Sequence, residues 1–107
     1  MISYINDTMR TNAEVGRLSL MYTKSVTITN HVGLHAHPAT FLIQKANSFS
    51  CGIWLEKDER RVNAKSLLGV LSLGVGQGET VKIIGDGQDE NEAVDTLCDL
   101  IASGFEE

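Results

Sequence analysis

Beyond residue 20 the apolar positions of this chain change rhythm from element to element. From Lys24 to Thr29 the run KSVTIT alternates, with Val26 and Ile28 on one side and Ser25, Thr27 and Thr29 on the other, which predicts a half-buried strand. A loop from Asn30 to Ala36 follows. Ala39, Leu42, Ile43, Ala46 and Phe49 then recur at helical spacing, predicting a helix from about Pro38 to Phe49 that Pro38 opens. Cys51, Ile53 and Leu55 alternate inward again, with Trp54 facing outward. Lys57-Asp58-Glu59-Arg60 reads as a polar hairpin turn, Arg61 to Asn63 as a short strand, and Ser66 as the cap of a short apolar helix, LLGVLSL. Gly74 to Gly78 break that helix before a strand from Thr80 to Ile84, with Val81 and Ile83 inward. A turn at Gly85-Asp86-Gly87 leads to the last helix. Asp89 with Glu92 forms a variant of the capping box there, Val94, Leu97, Cys98, Ile101 and Phe105 share one face, and Gly104 is a suitable stop.

The predicted order is β-α-β-β-α-β-α. Strands apolar on one side only imply a mainly antiparallel sheet covered by helices on one face, hence an α+β domain whose other sheet face is wet. Residues 1–20 show neither strand alternation nor a helical stripe. They are expected to be an N-terminal extension with its own role, a disordered tail, or the product of an over-long start-codon choice with Met21 as the true start, and residues 21–107 to be the domain.

With 107 residues, the chain suits one compact domain and leaves little room for a large multi-part cleft. Hydrophobic residues make up 42%, yet no run approaches the roughly 18 apolar residues of a membrane span. No segment has the layout of a signal peptide, so the expected location is cytoplasmic. The formal charge of -5 is unevenly spread. Residues 1–54 carry four basic and two acidic side chains, residues 55–107 five basic and twelve acidic, a balance that argues against nucleic acid as partner. Cys51 and Cys98 form no CxxC and read as small buried hydrophobes in a reducing compartment.

Residues 33–40 read GLHAHPAT and place His35 at a helix entrance. A helix N-terminus carries unpaired N–H groups and about half a positive charge, which disfavours an imidazolium and favours a neutral, nucleophilic ring. Once phosphorylated, the same ring bears negative charge that the dipole and the N–H groups around Ala36 and His37 accept. Gly33 gives freedom in the approach loop, and Pro38 fixes the first turn. On position alone, a solvated or capping histidine before a helix is the commoner case.

GLHAHPAT followed by AKSLLGVLSLG resembles the histidine-containing phosphocarrier protein HPr of the bacterial phosphoenolpyruvate–sugar phosphotransferase system, from about Met21 to the C-terminus. The resemblance implies an open-faced β-sandwich with a four-stranded sheet and three helices on one face. It implies that His35 takes a phosphoryl group from enzyme I and passes it to sugar-specific IIA components. Ser66 matches a serine that a dedicated kinase phosphorylates in many Gram-positive members, and it would address a catabolite-control transcription regulator. A serine cap explains Ser66 equally well without regulation. Leu67, Leu68 and Leu71 form the docking patch by resemblance, and one of the three is expected to be wholly core. The carrier is expected to be a monomer, to hold no cofactor or metal, and to be a substrate of enzymes rather than an enzyme.

One position departs from the family. The pattern His-Ala-Arg-Pro has His37 in place of arginine here. A guanidinium is always charged and forks onto phosphate, at about 1.5–3 kcal/mol per charge-assisted bond, whereas an ordinary imidazole is half-charged only near pH 6.5. Transfer should therefore be slower than in an arginine-bearing relative, and improve toward mildly acidic pH. Two rivals follow: a regulatory paralogue with weakened histidine transfer that acts through Ser66, and a metal site of His31, His35 and His37, which lacks a fourth ligand nearby. No GxxxxGK[ST] loop supports an independent kinase.

Overall fold

The first strand, β1 (Tyr22–Thr27), begins and ends two residues earlier than its alternation predicted. The coordinates are a computed structural model that describes residues 21–106, so the expected extension over residues 1–20 lies outside the described residues. Ile28 leaves the strand but stays buried, because its N–H donates to the Glu79 carbonyl at 2.8 Å and its own carbonyl accepts from Gly78 at 2.8 Å. Helix α1 (Ala36–Ala46) starts two residues before Pro38 and ends three before Phe49. Pro38 is thus the third helical residue, a position whose N–H has no partner one turn back, so its missing hydrogen costs no bond.

Strands β2 (Gly52–Lys57) and β3 (Arg60–Asn63) form the predicted hairpin. Its two-residue turn holds Asp58 and Glu59 at φ of 51° and 68°, the left-handed pair that matches the twist of the flanking strands. Helix α2 (Leu67–Leu73) is capped by Ser66 and ends at Gly74 with φ 65°. Strand β4 (Thr80–Asp86) leads to α3 (Glu90–Ala102) and a short turn of 3-10 helix at Gly104–Glu106.

The sheet order is β1-β4-β2-β3, antiparallel throughout, and the three helices cover one face. This is the α+β arrangement expected from the pattern and the open-faced sandwich that the resemblance implied. Val81 and Ile83 from β4, Ile53 and Leu55 from β2, Leu42 from α1, Val70 from α2, and Leu97 and Ile101 from α3 fill the core. At Gly85 an added Cβ would lie 2.8 Å from Val94, so the missing side chain lets α3 rest directly on β4.

Three details differ from the sequence reading. The outer sheet face is not uniformly wet: Ile84, flanked by Trp54 and Thr23, is only 3% exposed. Asp89 makes no capping bond to its own helix; its carboxylate instead accepts from the Ser50 and Cys51 N–H groups, both at 2.9 Å, while Glu90 accepts from Gly87. Phe105 reaches the core not from the face of α3 but from the turn after Gly104, at φ 57°.

Candidate functional site

The loop that leads to His35 is tied down from both sides. Gly33 donates its N–H to the Asn30 carbonyl at 3.3 Å, and the Asn30 carboxamide returns a bond to the Gly33 carbonyl at 2.9 Å. Asn30 is buried, and among the described residues its side-chain oxygen has no hydrogen-bond partner. Leu34 is buried and donates to the Val75 carbonyl at 2.9 Å. Gly33 sits at φ 73°, where a Cβ would be 2.5 Å from that same carbonyl oxygen and 2.8 Å from the Gly76 Cα.

His35 follows at once as the N-cap of α1, extended at φ -138° and ψ 152°, with its side chain making no capping bond. Its ring stands exposed at the helix end. Ala36 has φ 47°, an uncommon value for a residue with a Cβ, costing of order 1–3 kcal/mol that the surrounding bonds must hold. The Thr40 hydroxyl donates to the Ala36 carbonyl at 3.1 Å, and the first turn contains no acidic side chain. The end of α1 therefore presents its N–H groups and partial positive charge without a competing carboxylate.

His37 is exposed and meets the ring of Phe41 edge-on, with centroids 5.8 Å apart. His31, His35 and His37 do not converge: among the described residues no group of three His, Cys, Asp or Glu side chains could hold a metal ion. Ser66 lies at the start of α2, half-buried, and its hydroxyl accepts from the Gly69 N–H at 3.1 Å. The neighbouring Lys65 ammonium is engaged by the Phe49 carbonyl at 2.7 Å.

Of the three leucines on α2, Leu67 and Leu68 are exposed at 39% and 81%, and Leu71 is partly buried. None is wholly core, contrary to expectation, because Val70 and Leu73, three residues apart, take the inward line of this two-turn helix. Val32 and Phe41, which the sequence reading did not single out, are large exposed hydrophobics as well. Phe41 was detectable: it falls off the buried stripe of Ala39, Leu42 and Ala46, and an apolar side chain out of phase must face solvent or a partner.

Both cysteines are free and buried. Burial, reinforced by Asp89, pushes the Cys51 thiol up to about 11, and burial raises Cys98 as well. Neither behaves as a ready nucleophile. Among the described residues no helix is long and apolar enough to cross a membrane.

Fold and site together define a small open-faced sandwich whose first helix starts at an exposed histidine and whose second starts at a serine. The sequence model described as "PTS HPr component phosphorylation site" matches residues 22–103. The HPr-like protein Crh of Halalkalibacterium halodurans is 43% identical over 81 residues, spanning 76% of this chain and 96% of that protein. Among solved structures, HPr of Thermoanaerobacter tengcongensis superposes with a TM-score of 0.79 at 50% identity, over 80% of this chain and 97% of its own. Crh of Bacillus subtilis, solved as a domain-swapped intertwined dimer, gives a TM-score of 0.64 at 40% identity, over 74% of this chain and 91% of its own. The chain belongs to the HPr family. Proteins of this family are phosphocarriers of the phosphotransferase system that interact with its enzymes and do not themselves catalyse the transfers.

Proposed function

We propose that the chain accepts a phosphoryl group on His35 from enzyme I and delivers it to sugar-specific IIA components in the cytoplasm. The observation that carries this reading is the exposed His35 ring at the N-cap of α1, uncommitted to capping and held at the end of an anchored loop. A ring nitrogen attacks phosphorus, and the new N–P bond forms as the donor's bond to phosphorus breaks. The dianionic product then lies against the N–H groups of Ala36 and His37, at the positive end of a helix with no acidic residue in its first turn. Delivery reverses the step. Leu67 and Leu68, with Val32 and Phe41, supply exposed apolar surface on α1, α2 and the histidine loop for transient docking of both partners, and Leu71, partly buried against the core, adds to it on α2.

A second reading has the chain as a regulatory paralogue that acts through Ser66, a serine kinase and a catabolite-control transcription regulator. Two observations favour it: His37 stands where the family pattern has arginine, and a Crh protein is among the relatives at 43% identity. A phosphate on Ser66 would keep an acceptor oxygen for the Gly69 N–H at the positive end of α2, so modification need not unfold the helix.

The test is the mass of the protein after incubation with phosphoenolpyruvate and enzyme I, beside His35→Ala and His37→Arg. We expect an acid-labile phosphoryl adduct that disappears only in His35→Ala. No adduct on the natural chain, with one restored by His37→Arg, would move the function to Ser66.

A further inference from the structure

The abutment that holds the histidine loop is itself weak by composition. Three of its residues, Gly74, Gly76 and Gly78, are glycines, so the Val75 carbonyl to which Leu34 is bonded depends on what anchors the segment: the buried Val75 side chain, the Gly78 N–H bond to Ile28, and a side-chain pair from outside the loop. The inward side of β2 ends in Lys57, whose ammonium donates to the Gly74 carbonyl at 3.3 Å and to Glu79 Oε1 at 3.0 Å. The same Glu79 oxygen accepts the Gly76 N–H at 2.8 Å. One ion pair thus grips the loop before and after Val75. Glu79 also continues into the chain by bonding Ile28 through its carbonyl, at the start of the histidine loop.

We infer that Lys57 and Glu79 are positioning residues for His35, setting the ring through Gly76, Val75 and Leu34 although neither touches it. The inference rests on His35 being the phosphoryl acceptor, but the coupling itself exists without phosphate and is measured without it. The Lys57 side chain is 19% exposed, against 44% and 49% for the cations of the Lys24–Asp95 and Arg61–Glu56 pairs, while its partner Glu79 is 45% exposed. Its effect on the ring follows from position: a loop held at both ends fixes the direction in which the chain enters the strained Ala36.

The experiment compares Glu79→Ala, Lys57→Met and their combination with Asp95→Ala, which cuts the Lys24 ion pair at the β1 edge of the sheet. Glu79→Leu, which keeps the bulk but offers no acceptor to Gly76 or Lys57, stands in if Glu79→Ala fails to fold. Nitrogen-15 NMR of the unphosphorylated proteins should show the His35 imidazole and Leu34 amide signals displaced in the Glu79 and Lys57 variants and unmoved in Asp95→Ala. Enzyme I should phosphorylate these variants roughly three- to tenfold more slowly at saturation, with KM unchanged, and the combined variant should be no slower than the worse single one. His35 signals that coincide with the natural chain, or an equal rate loss in an Asp95→Ala protein of matched thermal stability, would overturn the inference. If the natural chain takes no phosphate on His35, the carrier reading fails, and the NMR comparison alone decides the positioning.

Discussion

A methyl group added at Gly33 would lie 2.5 Å from the Val75 carbonyl oxygen, on a residue held at φ 73°. Gly33→Ala should therefore cost about 2–3 kcal/mol, from left-handed strain and displacement of the loop together, read as a lower urea midpoint at unchanged slope. Because the displaced loop carries His35, phosphorylation by enzyme I should slow in the same variant. His37→Arg acts in the opposite direction. A guanidinium reaching the phosphoryl oxygens should speed transfer roughly ten- to a hundredfold, measured in rapid-quench assays of enzyme I with the variant beside the natural chain. The residue types at His35, His37 and Gly33 were legible in the sequence. Asn30 was not, since a loop asparagine shows its burial and its bond back to Gly33 only once the loop is folded.

At the scale of elements, α2 separates its capping from its packing. Ser66→Ala removes the bond to the Gly69 N–H and should cost about 0.5–2 kcal/mol, whereas Leu68→Ala, at a residue 81% exposed, should stay within about 0.5 kcal/mol. Chemical denaturation of both variants checks this, and weakened enzyme I docking in Leu68→Ala alone would place the leucine in the partner surface. Spacing recognised the helix and its cap. It misjudged which side chains turn inward, because seven residues make only two turns and the sheet decides their rotation. Asp89 shows the same limit: its type and place suited a helix cap, but the folded chain brings the start of β2 within reach and its carboxylate serves Ser50 and Cys51 instead.

Across the whole molecule, three carboxylates tie distant segments together. The Gly76 N–H and then Lys57 hold Glu79 below its ordinary range, the Ser50 N–H and then Cys51 do so for Asp89, and Lys24 and then Tyr22 for Asp95. A depressed folded-state value adds stability that is complete above the unfolded carboxylate value, near pH 4, and is lost as pH falls through the folded one. The urea midpoint should therefore drop progressively below about pH 4, and the drop should shrink when Glu79, Asp89 and Asp95 are all replaced by their amides. Solvent exposure of these groups keeps each contribution small. The bonds of Asp95 to β1, of Asp89 to Ser50 and Cys51, and of Glu79 to Lys57 join residues far apart in sequence, so no local pattern announces them.

By itself the sequence determined the element order, the apolar face of each strand, the two helix starts at His35 and Ser66, and the family, because these depend on period and on residues adjacent along the chain. Only the tertiary structure decided how far each element runs, the cover of Ile84, the left-handed Ala36, and the grip of Lys57 and Glu79 on the loop beneath His35. Those depend on which backbone groups meet across the sheet, and a hydrogen bond between residues tens of positions apart exists only after the chain has closed around it.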